Sequence, residues 1–540
     1  MAQRAQPIAL RLAAGAAALA VVALVFGTLA AVALRAESGA RLISADWAAA
    51  RFTVFQAALS ALISAALAVP VARALSRRRF FGRRALILAL GAPFILPVIV
   101  AVFGLLAVFG RNGLLNLALE TLGTPVVDEL GRQGILLAGH VFQLPLFDLY
   151  GIQGVLLAHV FFNLPLATRL LLQGWQRIPA ESFRLAASLS LNDRQQFRVI
   201  ELPMLRATLP GVLVVVFLLC LTSFAVVLTL GGGPRATTIE LAIYQAFRFD
   251  FDLGRAALLA LIQVGIGLGA ALLALAVGQR AAGQGLDRVV LRWDGRGWRR
   301  YTDALLLLLT ALFIGLPLAM TAIRGWAGLS GLSVGLWAAV LRSVLVALGA
   351  TALTLLLALP LALRIGAASA RPGARLVEAL GTLSIAASPL VLGTGLFLIL
   401  NPFLDPMAWA LPLTAVVNAL MALPFALRAL VPAATEAQRR FDRLSESLNL
   451  PAGTRLRHVL LPRLRAPLGF ALGLTAALSA GDLGVVALFA DPNRATLPME
   501  MYRLMGAYRN DEAAAAALLL VALAFGLFWV FERIGRHADT

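Results

Sequence analysis

The sequence predicts an all-α polytopic membrane protein with about 12 transmembrane helices in two parallel six-helix repeats. Three observations lead there. Of 540 residues, 60% are hydrophobic and only 14% charged, far from the balance of a soluble globular chain. Apolar windows of roughly 20 residues, the length that crosses a bilayer as a helix, recur throughout. Finally, residues 184–209, RLAASLSLNDRQQFRVIELPMLRATL, return at 443–468 as RLSESLNLPAGTRLRHVLLPRLRAPL, with twelve identities in twenty-six positions and no slip in register.

Taken in order, the spans fall near 8–34, 52–72, 85–109, 151–173, 207–230, 254–277, 303–323, 337–363, 377–400, 408–430, 466–489 and 513–531. The strands of a membrane barrel would be short and alternating, whereas these runs are long and continuous. The first run is long for a signal peptide and shows no small-residue cleavage site, so it reads as a true span. After the second span, Arg73, Arg77, Arg78, Arg79, Arg83 and Arg84 crowd one loop; Arg280, Arg288, Arg292, Arg296, Arg299 and Arg300 crowd another. Loops rich in basic residues stay on the cytoplasmic side. Both termini and both copies of the duplicated segment are therefore expected to be cytoplasmic. The net charge of +19 is then a matter of topology and lipid contact, with no nucleic-acid partner implied.

The repeat reaches beyond its first segment. Leu164-Pro165 to Arg169 aligns with Leu423-Pro424 to Arg428, and Arg235-Ala236-Thr237 with Arg494-Ala495-Thr496, all at the same offset of 259. Upstream the offset becomes 290 (Pro70 and Pro360). The first half therefore carries an insertion, placed in an external loop at 110–150. Because corresponding polar loops face one side, the halves are parallel, as in one class of transporter repeat. The expected division is 1–290 with a polar loop at 181–206, and 291–540 with its counterpart at 436–465. Each polar loop should contain a short helix, a turn (Asn192-Asp193; Pro451-Ala452-Gly453) and a second helix. Leu-Pro at 202–203 and 461–462 then leads into the next span.

This spacing resembles the cytoplasmic "EAA" loop of bacterial ABC importer permeases: Glu-Ala-Ala, three residues, Gly, nine residues, Ile, one residue, Leu-Pro. In the first copy Ile200 and Pro203 fit, the glycine position is Ser190, and the Glu-Ala-Ala positions are Arg184, Leu185 and Ala186. In the second, Val459 and Pro462 fit, Asn449 replaces glycine, and Arg443, Leu444 and Ser445 replace Glu-Ala-Ala. The spacing is kept twice and the glutamate is absent twice. The resemblance implies a type I importer fold in which each loop docks on one of two ABC ATPase subunits. It also implies a periplasmic substrate-binding protein outside and a bacterial inner membrane location. The runs at 221–263, 150–173 and 388–400 look like permeases of thiamine or thiamine pyrophosphate importers. Fused permeases for ferric iron share the two-half layout, and a twelve-helix secondary transporter is the alternative from another class.

Asp482 lies inside an apolar span, where an ionisable side chain usually faces a cavity or a partner; Ser223 is its counterpart. Both are candidates for the pathway or its gate, where a carboxylate would attract the cationic part of a thiamine-like molecule. Pairing with a buried arginine, or capping of a broken helix, would equally explain Asp482. No catalytic site, metal site or cofactor is expected. All 46 basic residues are arginine, so the lysine of a nucleotide-binding P-loop is missing. The four histidines lack metal-ligand spacing, and Cys220 is alone.

Overall fold

The computed structural model describes residues 8–36, 41–119, 121, 149–233, 236–277, 297–329, 332–367, 388–489 and 494–536. Most of the expected 110–150 insertion and of the basic stretch at 279–302 lies outside them. The described residues form helices throughout. These are α1 (Ile8–Ala36), α2 (Ser44–Arg77), α3 (Arg83–Ala89), α4 (Ala92–Ile95), α5 (Val98–Phe109), α6 (Ile152–Arg177), α7 (Ala180–Ser188) and α8 (Asp193–Gln196), then α9 (Leu202–Leu221), α10 (Phe224–Leu230), α11 (Ile239–Arg248) and α12 (Leu253–Val277). There follow α13 (Arg299–Gly328), α14 (Val334–Ala367), α15 (Pro389–Leu400), α16 (Ala410–Ser447), α17 (Ala452–Arg455), α18 (Leu461–Ala480), α19 (Gly484–Phe489), α20 (Leu497–Gly506) and α21 (Asn510–Arg536). Eleven helical segments among the described residues are long and apolar enough to cross a membrane. The twelfth expected span, 377–400, is described only from Ser388 onward, as the shorter apolar helix α15.

Three departures from the expected spans have local causes. The run at 85–109 is broken into α3, α4 and α5 at Gly91 and Pro97, because proline cannot donate an amide and disfavours helix before it. The run at 207–230 breaks at Thr222-Ser223, and its counterpart breaks at Gly481-Asp482. Finally, Pro179 separates α6 from α7, whereas Gln438 stands 259 residues on and α16 runs unbroken from its apolar span through the polar segment. The short helix expected before the Pro451-Ala452-Gly453 turn is thus the end of a 38-residue one.

The two sets of helices pack in the same way, with their first members exchanged. α1 lies against α14 and α15, and α13 lies against α2 and α5. Glycine permits both crossings. A Cβ at Gly104 in α5 would fall 2.6 Å from the Pro317 carbonyl oxygen of α13, and one at Gly395 in α15 would fall 2.5 Å from Thr28 Cβ of α1. Each contact brings backbone within reach of backbone, as helices packing in lipid favour. The short helices α11 and α20 are anchored alike: the Thr53 hydroxyl accepts from the Ile239 amide (2.9 Å) and the Ser343 hydroxyl from the Leu497 amide (2.8 Å).

Candidate functional site

In each polar loop a helix ends in a left-handed residue, Ser190 at φ 52° and Asn449 at φ 47°. The chain then reverses, with the Leu191 amide bonding the Ala186 carbonyl and the Leu450 amide bonding that of Ser445, both at 3.0 Å. This is the six-to-one closure of a Schellman turn, whose left-handed position favours glycine. It explains why Ser190 and Asn449 occupy the place where the resembled loop has glycine. Next, Asn192 caps α8 reciprocally with Gln195 (3.0 and 2.9 Å). Phe197–Glu201 and Leu456–Leu460 follow as single π turns, each directly before Leu-Pro.

Ala186 and Ser445 are buried beneath the loops, and Ile200 and Val459 are half-buried. Pro203 is exposed and Pro462 half-buried at the start of the next helix. Arg184 and Arg443 both point outward; Arg184 pairs with Glu181 at 2.6 Å on the open surface, where such a pair adds little stability. At and beyond these positions lies a matched feature whose exposure the motif does not reveal. Leu185, Leu189, Leu444 and Leu448 are 61%, 62%, 53% and 62% exposed. A depression of about 700 Å³ lies alongside, lined by Arg184, Ser190, Asn192, Asp193 and Gln196 among others.

The loops join the transmembrane helices through opposite chemistry. In the first, Arg73 donates to Glu201 and Asp193, both at 2.7 Å, and Arg299 reaches Asp193 at 2.9 Å. Arg77 and Arg78 both hold Asp303 at 2.6 Å, and the Trp175 indole donates to Glu201 at 3.3 Å. Glu201 is fully buried, which a carboxylate tolerates only when paired and hydrogen-bonded. Arg73 and Arg77, expected in a basic loop, thus belong to the last turns of α2. At the matching places of the second copy stand Leu363 for Arg73, Ala434 for Trp175 and Leu460 for Glu201. These pack with Leu464, and with Leu10 of α1, as one apolar cluster.

The helix breaks are polar as well. His159 Nδ1 lies 2.8 Å from the Ser60 hydroxyl and Nε2 lies 2.7 Å from that of Ser223, which itself donates to the Cys220 carbonyl at 2.9 Å. With its one proton so committed, Ser223 accepts from Nε2–H, and Ser60 donates to Nδ1. At the second break Asp482 accepts from the Gly484 and Val485 amides (3.2 and 3.3 Å), capping α19, while Asn418 donates to Ser479 at 3.0 Å. Asn418 stands where His159 does in the first half, and Ser479 where Cys220 does. The two breaks approach each other: a Cβ on Gly484 would sit 3.7 Å from both Asp482 Oδ1 and Phe224 Cδ1.

No protein-family model matches the chain. Full-length relatives do. It is 39% identical to the thiamine transport system permease protein ThiP of Brucella abortus, covering 94% of this chain and 92% of the relative. Against ThiP of Salmonella typhimurium the identity is 40%, over 92% and 90%. Against that of Haemophilus influenzae it is 32%, over 90% and 88%. The chain belongs to the thiamine transport system permease family.

Family membership accounts for a non-catalytic, multi-pass membrane subunit of the ABC transporter class. Residues that the motif did not reveal, namely Leu189, Leu448, His159 and Asn418, carry one common signal. The 259-residue register also superimposes Leu185 on Leu444, Leu189 on Leu448 and His159 on Asn418.

Proposed function

We propose that this chain is the membrane-spanning permease of an ATP-driven importer for thiamine or its phosphates. The two groups of helices, 1–290 and 291–540, supply the two walls of the pathway. One ABC ATPase subunit docks on each polar loop, so two copies bind, and ATP hydrolysis takes place there. A periplasmic binding protein delivers the cargo at the opposite face, and both termini lie in the cytoplasm of a bacterium whose inner membrane the chain spans.

The observation that carries this reading is the pair of outward leucines, repeated in register beside the same left-handed turn. A surface helix that exposes matched apolar residues twice suits two copies of one soluble partner, as buried apolar area drives such association. A rigid helical plug can then pass an ATPase movement to the spans as a body. Ser223 and Asp482 sit where both fifth helices break, and are proposed to gate the pathway, with the carboxylate facing the cationic ring of the cargo. Relatedness over more than nine-tenths of the chain to proteins named for thiamine argues against the ferric iron and secondary-transporter readings.

The test is purification with the ATPase subunit at a ratio of two to one, followed by reconstitution. ATP hydrolysis should rise on adding the binding protein loaded with thiamine and stay basal with the iron form. Uptake by the permease alone under an ion gradient would sink the proposal.

A further inference from the structure

An arginine inside a membrane span is costly and as a rule finds a partner or faces water. Arg169 in α6 and Arg428 in α16 occupy the same position of the repeat. Neither makes a hydrogen bond or ion pair among the described residues. Arg169 is half-buried and Arg428 exposed.

Their surroundings tell where they point. The spans of α6 and α16 are 67% and 72% buried, against 28% for the peripheral α1 and α13. Each carries a matched stripe of partly accessible residues at helical spacing: Phe162, Leu166, Arg169 and Gln173, and Met421, Phe425, Arg428 and Pro432. Residues so spaced share one helix face. That face looks across to the other half, since Phe425 meets Phe94 of α4 with ring centroids 5.8 Å apart. One turn back along the same segment is Gly91, where a Cβ would fall 2.7 Å from Arg169 Nη1. Arg169 thus reaches the start of α4, and Arg428 follows Phe425 by three residues on the helix that meets α4. Along α6, Arg169 lies about 15 Å beyond the His159–Ser223 break and about 9 Å short of Trp175 at the ionic joint, by helical rise. It therefore occupies the stretch between gate and coupling loop.

Resting on the importer reading, we infer that Arg169 and Arg428 are the residues that receive the anionic group of a phosphorylated cargo on the coupling-loop side of the gate. The chemistry fits. A guanidinium presents a planar fork that binds phosphate oxygens in pairs, stays charged throughout, and is weakly hydrated enough to work in a confined space. Asp482 at the break and the arginines below it place opposite charges in the order in which a molecule with a cationic ring and an anionic tail would meet them. Unphosphorylated thiamine has no group for the arginines to hold, so their removal should separate the two cargoes.

The experiment uses the complete importer in proteoliposomes, with the binding protein loaded with thiamine or with thiamine diphosphate. Arg169→Gln and Arg428→Gln should each lower diphosphate uptake about tenfold or more, the effect of losing a hydrogen bond to a charged group. Thiamine uptake should stay within about twofold on that scale. The double Arg→Lys variant, which keeps the charge, should retain most diphosphate uptake. Equal losses for both cargoes would mean a structural role and overturn the inference, as would unchanged uptake of both. A wild-type complex that carries thiamine but not the diphosphate overturns it alone. An assembled wild-type complex that carries neither cargo removes the importer reading with it.

Discussion

Arg73 Nε donates to Glu201 Oε2 at 2.7 Å, and the residues at the two equivalent positions of the other half, Leu363 and Leu460, lie in one apolar cluster. One joint between polar loop and membrane helices is thus ionic and the other greasy, at the same place in a duplicated frame. Removing one member of a buried ion pair strands the other, which costs about 3–5 kcal/mol, whereas replacing the whole pair with apolar groups is often neutral. Glu201→Leu should therefore lower the melting temperature of the purified permease. The double variant Arg73→Leu/Glu201→Leu, which copies the second joint, should recover much of the loss. Unfolding followed in detergent checks this, and strictly additive losses would contradict it.

The exposed leucines should govern partner binding one copy at a time. Leu185→Asp/Leu189→Asp is expected to reduce ATPase copies per permease from two to one, and Leu444→Asp/Leu448→Asp likewise. All four changes together should abolish co-purification. Mass measurement of the complex reads the outcome directly; full occupancy in the quadruple variant would relocate the docking face.

A left-handed residue other than glycine costs about 1–2 kcal/mol, less for asparagine. Ser190→Gly should leave assembly intact and stabilise the permease slightly, while Ser190→Val should weaken it, as β-branching makes the conformation harder to reach. At position 449 the gain from glycine should be smaller than at 190. Thermal unfolding of the three variants is sufficient to decide.

Glu240, on the short helix α11 outside the candidate spans, is fully buried against the second half of the chain. Burial pushes its carboxyl up to about 8, opposed only in part by the Ser388 hydroxyl and the Phe224 amide. The folded protein therefore favours the protonated form. The stability this group provides is full below its ordinary value of 4.5 and is lost as pH rises through about 8. Glu240→Gln should match the parent at pH 5 and be the more stable of the two at pH 9. Parallel melting curves across that range would mean that the carboxyl titrates normally.

Asp482→Asn keeps one side-chain oxygen, enough for one of the Gly484 and Val485 amides that now bond separate carboxylate oxygens, so the cap weakens but the helix break and the assembly should survive. Thiamine uptake should nevertheless fall several-fold. Unchanged transport with unchanged affinity would confine Asp482 to its cap.

Much of this was legible in the residues alone because it rests on period and spacing. Long apolar runs located the helices and the constant offset located both polar loops, but the turns expected at Asn192-Asp193 and Pro451-Ala452-Gly453 fall just upstream, at Ser190 and Asn449. The rest depends on which distant segments meet. Nothing local in Arg73 or Arg77 distinguishes a topology-setting arginine from one that holds Asp193 or Asp303, 120 and 226 residues away. Likewise Asp482 in an apolar run fits a pathway charge, an arginine partner or a helix cap equally, until two backbone amides are seen to bond it. The exposed leucines were hidden for another reason: in so apolar a chain, four more leucines carry no signal until burial is known.

The exchange of first helices sets a timetable for synthesis. The ionic joint of the first half is incomplete until Asp303 has left the ribosome: Arg77 can meet Asp193 earlier, but Arg77 and Arg78 emerge more than two hundred residues before the carboxylate they share. The apolar joint faces no such delay, since Leu10 was made first and awaits Leu363 and Leu460. A ribosome that stalls in the linker would release a half-permease whose ionic joint lacks Asp303, whereas the second half, made last, can close as it appears.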